Sequence, residues 1–312
     1  GVPVSHATTP HSTGTVGLIG LGLVGMALAH RLQAAGLDVL GYDLREEARA
    51  AAARQGLRTA TTAQALGNVC HTVVLAVFDT QGVLACTEGP QGLLTAGTEG
   101  AGQRVVQGLI DCSTGNPALL EPLAARLQAQ GVAFVEAPLS GSSQQIQDGN
   151  ATMLLGGSSD ALALLEPVLQ VLSSQRIHVG GAGAGAKAKL ATNLVLGLNR
   201  AALAEGMVLA ESMGIAPAQF LALVLATPAR SDAALAKGAM MVSGDFTPQS
   251  RIRQHLKDVD LMLDHGQQHG QRLPLSQTHA ALMRAAIAAG DGDLDNAAII
   301  REIRRQRLNP KD

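Results

Sequence analysis

T-V-G-L-I-G-L-G-L-V-G-M-A-L-A-H-R-L-Q-A-A-G, residues Thr15 to Gly36, decides how this chain is read. The apolar run Val16 to Ile19 predicts a buried strand, and Met26 to Leu32 predicts a helix. Gly20, Gly22 and Gly25 stand between them at G-x-G-x-x-G spacing. Such glycines serve a tight turn, close backbone approach to a pyrophosphate, and close helix–strand packing. A helix N-terminus there offers unpaired N–H groups and a partial positive charge. A second strand, Val39 to Tyr42, ends in Asp43, placed to accept hydrogen bonds from an adenosine ribose. Asp43 would repel a 2′-phosphate, which favours NAD over NADP. Arg45 beside it suits that phosphate, so NADP stays open. The ordinary reading is a βαβ unit with a glycine-rich turn. With 36 glycines in the chain, chance matches are expected, so the motif by itself does not establish a nucleotide site.

A chain of 312 residues is long enough for two domains. Hydrophobic residues make up 46% and charged residues 15%, as in soluble globular proteins. Aromatics reach only 2%, with one tyrosine and no tryptophan, so the core must be aliphatic. That composition argues against a base-stacking surface, and a net charge of -2 argues against a phosphate-backbone surface. Nucleic acid is therefore not an expected partner. Cys70, Cys86 and Cys112 are odd in number and not at metal-ligand spacing, which points to a reducing compartment, the cytoplasm, and to no metal. No apolar segment reaches the ~18 residues of a membrane span. Residues 1–14 lack a signal-peptide pattern and read as a disordered lead.

Further along, Arg45 to Gln55 and Thr62 to Leu66 read as helices. Thr72 to Phe78 is a continuous apolar run, as in a strand buried on both faces. Val105 to Asp111, Val132 to Glu136, Ala151 to Gly156 and Ile177 to Val179 read as later strands. Pro117 to Gln130 and Asp160 to Leu172 read as the helices between them. This alternation predicts an α/β, Rossmann-like doubly wound sheet over residues 15–180. The character changes at the glycine cluster Gly180 to Ala186. Lys187 to Met213 predicts a long linking helix that stops at Gly214. Pro217 to Leu225, Ser231 to Met241, Ile252 to His269, Leu275 to Ala289 and Asp295 to Arg307 predict further helices. Residues 181–312 therefore read as an all-α domain.

Ligands of such sheets bind beyond the carboxyl ends of the strands. The informative residues are Gly20 to Gly25, Asp43, Val77 and Phe78, Cys112 to Thr114, and Ser140, Gly141 and Ser142. The last two segments supply hydroxyls and N–H groups suited to a carboxylate. Lys189 and Asn193 stand i, i+4 on the long helix, so they share a face. Their Ala, Gly and Leu neighbours would desolvate the amine, lower its pKa and fit it for proton exchange. Spacing alone favours a surface lysine with an ordinary helical asparagine, and Lys187 reads as a solvated neighbour. In Arg251 to Asp258, Lys257 would reach across a cleft to a cofactor with Asp258 fixing it. A salt-bridged helix face with a buried structural His255 is the ordinary alternative.

Several of these segments together resemble the β-hydroxyacid dehydrogenases, the group of 3-hydroxyisobutyrate dehydrogenase and tartronate semialdehyde (2-hydroxy-3-oxopropionate) reductase. They are G-L-I-G-L-G-L-V-G-M, D-C-S-T-G-N-P (Asp111 to Pro117), A-P-L-S-G-S-S (Ala137 to Ser143) and G-A-G-A-G-A-K-A-K-L-A-T-N (Gly181 to Asn193). H-L-K-D (His255 to Asp258) and D-N-A-A-I (Asp295 to Ile299) come after them in the family's order. The resemblance implies that Lys189 is the general acid/base and that Asn193 helps hold the substrate. It implies a carboxylate-binding loop at Ser140, Gly141 and Ser142. Cofactor contacts are implied at Gly20, Leu21, Gly22, Leu23, Val24, Gly25, Asp43, Val77, Phe78 and Thr114, with Lys257 closing over the cofactor. It also implies that residues 181–312 serve substrate binding and dimerisation, in a homodimer or homotetramer. Val24, Phe78, Thr192, Ser142 and Ser143 depart from the usual family residues, and the last three bear on substrate identity. The expected activity is NAD-dependent interconversion of a short 3-hydroxy acid and its semialdehyde. The R-I-x-x-H-x-K-D and L-P-L segments look most like 2-hydroxy-3-oxopropionate reductases, with L-threonate and 3-hydroxyisobutyrate dehydrogenases next. An imine reductase of the same fold and a non-catalytic cofactor-binding regulator are the rival readings. Imine-reducing relatives usually lack the lysine that stands here at 189.

Overall fold

The computed structural model describes residues 14–95 and 103–309, so the lead expected at residues 1–14 lies, Gly14 apart, outside the described residues. Val16–Ile19 forms strand β1, with all four residues buried, as a strand covered on both faces must be. It pairs in parallel with β2 (Val39–Tyr42) on one side and β4 (Thr72–Leu75) on the other. β3 (Arg58–Thr59) flanks β2, while β5 (Gly108–Asp111) and β6 (Ala133–Glu136) extend the parallel set beyond β4. β8 (Thr152–Gly156) runs antiparallel to β6 and to the short β7 (Leu139–Ser140), and β9 (Gln175–Gly180) is parallel to β8. The nine-stranded order is β3-β2-β1-β4-β5-β6-β8-β7, with β9 on β8. Chain order reverses between β2 and β4 around β1. The carboxyl ends of β1 and β4 therefore flank the switch point where such sheets take ligands.

Helices α1 (Leu23–Ala34), α6 (Ser143–Asp148) and α7 (Ser159–Leu172) cover one face. Leu28, Leu32, Leu165 and Leu169 pack there on Val16, Leu18, Val74 and Ile110. The other face carries α3 (Ala63–Val69), α4 (Thr80–Glu88) and α5 (Pro117–Ala129). Leu66, Val83, Leu120 and Leu127 pack on Ile19, Val73, Leu75 and Leu109. Successive strand residues thus serve opposite faces, the period-two rule of a strand. α2 (Glu46–Arg54) comes directly after β2.

Helix α8 (Ala184–Ser212) has 29 residues, a length of ~43 Å at ~1.5 Å per residue. It ends before Gly214, whose φ of +87° suits glycine. Around it pack α9 (Pro217–Leu225), α10 (Asp232–Ser243), α11 (Ile252–Gln268), α12 (Pro274–Ala288) and α13 (Ile299–Arg305). Their core is aliphatic and methionine-rich, with Leu203, Met207, Val259, Met283 and Ile300 buried. Asp295 clamps this half. Its carboxylate accepts from Lys237 Nζ at 3.0 Å and from the N–H groups of Gln249, Ser250 and Ala297.

Several local readings differ from expectation, three of them close to the site or to the Asp295 clamp. The apolar run expected as a strand to Phe78 leaves the sheet after Leu75, because the Val77 N–H turns to Ser113 Oγ at 2.9 Å. The last helix is split, because the Asp295 carboxylate caps a 3₁₀ turn over Asn296–Ala298 before α13 begins. β7 interrupts the stretch expected as a simple serine loop.

Candidate active site

Helix α1 begins with Gly22 as its N-cap, and no side chain caps it. Its first N–H groups therefore have no partner within the helix and carry its positive end. A Cβ on Gly22 would meet nothing within 4 Å, so the space in front of these groups is open. The flanking glycines do a different job. A Cβ on Gly20, whose φ is +99°, would stand 2.0 Å from the Ala76 carbonyl oxygen, and one on Gly25 1.7 Å from that of Gly20. The backbone closes tightly around an open cradle that fits the pyrophosphate of a dinucleotide.

Overpacking at such a position costs ~1–3 kcal/mol. Gly25→Ala is accordingly expected to lower the melting temperature and to weaken NADH binding at least about tenfold. Fluorescence titration with NADH checks this, and unchanged affinity would contradict the tight-cradle account.

Asp43 is buried at the end of β2. Its Oδ2 accepts from the Leu21 N–H at 2.9 Å, and its Oδ1 accepts from the Arg45 N–H at 2.9 Å and from Arg45 Nε at 3.3 Å. The Gly20 N–H donates to the Tyr42 carbonyl at 2.9 Å. β2 is thereby stitched to the glycine turn. A cleft of about 520 Å³ lies beside the turn, lined by Gly22, Leu23, Met26, Arg45, Ser143 and Arg251 among others.

Lys189 is inside the protein and not on its surface, with 8% of the residue exposed. The small residues before it allow this. A Cβ on Gly185 would be 2.5 Å from the Leu154 carbonyl oxygen, so α8 lies directly on β8. The Lys189 amine donates to the Leu139 carbonyl at 2.8 Å. Burial lowers its pKa below the ordinary lysine value, Asp258 opposes that, and Arg200 and Lys257 add to it. Lys187 is exposed, as its spacing predicts.

One turn on, Asn193 Nδ2 donates to Asp258 Oδ2 at 3.3 Å. Asp258 Oδ1 stands 2.7 Å from the Lys257 ammonium. Burial pushes Asp258 up, and Lys257 and Lys189 pull it back down. The Lys257 ammonium also donates to the carbonyls of Phe78 at 2.5 Å and Thr114 at 3.3 Å. It lies 5.2 Å from the Phe78 ring centre. The loops after β4 and β5 are thus joined to α11, and through Asp258 to the face of α8 that carries Asn193 and Lys189. His255 is buried as well, its ring 5.4 Å from that of His279.

The serine loop is only partly as expected. Ser142, expected to offer its hydroxyl to a carboxylate, caps α6. Its Oγ accepts from the Gln145 N–H at 3.1 Å and its own N–H donates to Gln145 Oε1 at 2.8 Å. That reciprocal box occupies the groups read as free. Ser140 sits in β7 next to Leu139, whose carbonyl takes the Lys189 amine.

Sequence reasoning passes over three buried groups. Asp111 ends β5, its Oδ1 accepts from the Ser113 N–H at 3.0 Å, and burial pushes its carboxyl up to about 7. Glu136 ends β6 and accepts from the Ala186 N–H at 3.4 Å, tying the sheet to the start of α8. Arg200 lies on α8 with most of its guanidinium buried. The first two carry a signal, each being an acid at a strand's carboxyl end. Arg200 carries none.

Residues 15–181 match the family model described as the NAD binding domain of 6-phosphogluconate dehydrogenase. Residues 183–303 match the one described as the NAD-binding domain of NADP-dependent 3-hydroxyisobutyrate dehydrogenase. The chain is 30% identical to the 2-(hydroxymethyl)glutarate dehydrogenase of Eubacterium barkeri, over 92% of this chain and 93% of that one. It is 31% identical to the L-threonate dehydrogenase of Cupriavidus necator, over 92% of this chain and 95% of that one. The crystal structure of a 3-hydroxyisobutyrate dehydrogenase from Salmonella typhimurium superposes with a TM-score of 0.81 at 28% identity, covering 92% of this chain and 99% of that one. With the glycine cradle, the doubly wound sheet and the helical half after it, these matches make the chain a member of the β-hydroxyacid dehydrogenase family, an NAD(P)-dependent oxidoreductase.

Proposed function

We propose that the protein oxidises a short 3-hydroxy acid to the matching semialdehyde or 3-oxo acid, and runs the reverse reduction, with Lys189 moving the proton. The observation that supports this reading best is the buried amine of Lys189. It shares an α8 face with Asn193 and is linked through Asp258 and Lys257 to the loops at the switch point. The chemistry that the dinucleotide supplies when bound is hydride exchange at the substrate carbon.

The chain's own residues do the rest. The N–H groups of Leu23 and Val24, between Gly22 and Gly25, hold the pyrophosphate, while those of Gly20 and Leu21 tie the turn to Tyr42 and Asp43. Asp43 takes the ribose, and Val77, Phe78, Thr114 and Lys257 border the reactive end. Ser140 and Gly141 bind the substrate carboxylate, with Ser142 shaping that loop as the cap of α6, and Asn193 holds a neighbouring oxygen. In oxidation the neutral Lys189 amine accepts the proton of the hydroxyl oxygen as hydride leaves the carbon. In reduction the ammonium returns that proton to the carbonyl oxygen. Burial makes the neutral amine available at lower pH than in an exposed lysine.

The substrate is tested by following nicotinamide absorbance with glycerate, 2-hydroxy-3-oxopropionate, L-threonate, 3-hydroxyisobutyrate and 2-(hydroxymethyl)glutarate. Turnover of none of them would overturn the reading. Asp43 beside the cradle favours NAD, so kcat/KM with NAD should exceed that with NADP by at least about tenfold. Equal use of both would show that Arg45 governs instead. Val195 and Leu209 on α8, Met213 at its C-cap, Leu223 on α9 and Leu235 on α10 are exposed apolar side chains. We assign them to the interface of a homodimer or homotetramer, and light scattering of the purified protein tests that.

A further inference from the structure

Arg200 is the one buried arginine for which the described residues supply too few acceptors: its Nε and Nη1 are enclosed without a hydrogen-bond partner. The carboxylates around it are already engaged. Asp295 attracts it, but its oxygens take Lys237 and the N–H groups of Gln249, Ser250 and Ala297. Asp258 is held by Lys257 and Asn193. Lys189, Arg200, Lys237 and Lys257 thus face Asp258 and Asp295, four cations against two anions, with the nearby His255 and His279 neutral near pH 7. A guanidinium enclosed without an acceptor destabilises a chain. An anion entering the cluster would complete both its hydrogen bonding and its charge.

The position says which anion. Lys189, Asn193, Gly197 and Arg200 are all buried on α8. Their spacing of four, four and three residues keeps them on one face. Long helical side chains lean towards the helix N-terminus, so Arg200 leans towards Lys189. Gly197 lets the His255 ring lie against α8 between them. A Cβ there would stand 2.2 Å from His255 Nε2, which is itself unpartnered, and 3.4 Å from His279 Cε1. Building on the proposed activity, we propose that Arg200 binds a second carboxylate of the substrate, carried on an arm remote from the reacting carbon, so that the preferred substrate is a dicarboxylic 3-hydroxy acid. 2-Hydroxy-3-oxopropionate, the expectation from the sequence, has no group to offer it.

The test compares wild type with Arg200→Met, which keeps the length and removes the charge. The two substrates are 3-hydroxyisobutyrate and 2-(hydroxymethyl)glutarate, in which a carboxyethyl arm replaces the methyl group. The ratio of kcat/KM for the dicarboxylate to that for the monocarboxylate should fall at least about 30-fold in the variant. Its melting temperature without ligands should rise, because an uncompensated buried charge has been removed. Arg200→Lys, which keeps charge but loses the planar fork, should give an intermediate ratio. Equal loss on both substrates would overturn the proposal. So would a lower melting temperature of Arg200→Met, which would make Arg200 a structural partner of Asp295 and the neighbouring unpartnered Asn296 Oδ1. If the wild type oxidises neither acid, the proposed activity is decided by the other three substrates. Arg200 is then judged by binding: with NAD present, 2-(hydroxymethyl)glutarate should raise the melting temperature of wild type more than that of the variant, and an equal rise would refute the carboxylate site.

Discussion

Lys189→Met is expected to lower kcat by about 10²–10⁴-fold, the usual contribution of a positioned general acid or base. NADH affinity should stay within about threefold, since the glycine cradle and Asp43 lie elsewhere on the fold and 1.4 kcal/mol is tenfold in binding. The variant should fold, because methionine fills the volume and the lost cation was one that burial already disfavoured. A pH series sharpens the test. Oxidation needs the neutral amine, so the wild-type rate rises with pH through a limb below the ordinary lysine value of 10.5. Reduction needs the ammonium, so its rate falls through the same limb. In the variant both limbs should vanish. Turnover within a few-fold of wild type, with its pH dependence intact, would remove Lys189 from the mechanism.

Asp258→Ala should be the most damaging change to stability near the site. The Asp258 side chain is 6% exposed and that of Lys257 16%, so solvent screens the pair little. Breaking a buried pair by removing one partner costs about 3–5 kcal/mol. Here the removal strips counter-charge from both Lys257 and Lys189 and takes the acceptor from Asn193. For a chain of this size that corresponds to a fall in melting temperature on the order of 10 °C. Asp258→Asn separates charge from shape. It can still accept from Asn193, but it no longer supports the Lys189 ammonium. The oxidation limb should therefore move further down in pH while the fold is better preserved. An unchanged melting temperature in Asp258→Ala would show that Lys257 is held by the Phe78 and Thr114 carbonyls alone.

How much of the molecule is legible in its sequence depends on how local each cause is. β1 and β2 fall on the residues expected, because an apolar run bounded by turn residues is decided within a few positions. β4 stops short of the end its apolar run predicts, because Ser113, 36 residues away, diverts the Val77 N–H. The grip of Lys257 on Phe78 spans 179 residues. Only the family resemblance points to it; spacing alone fits a solvated helix face as well. Ser142 shows two local signals in competition. Ser142 and Gln145 spell a capping box, and the same serine also reads as a hydroxyl for a ligand. The cap wins in the structure. Arg200 is invisible in the sequence because one more charge in an alanine- and leucine-rich helix reads as its solvent side. Only the packing of α11 and α12 on α8 shows otherwise.

Tyr42 closes β2, and its carbonyl holds the first glycine of the cradle. It is also the chain's single tyrosine, and there is no tryptophan. Excited where phenylalanine does not absorb, this polypeptide therefore emits from one ring, directly before the carboxylate assigned to the ribose. The molecule carries an intrinsic optical probe at its nucleotide pocket. Titrations excited in that band can report occupancy of that pocket with no label attached and no tryptophan background to subtract.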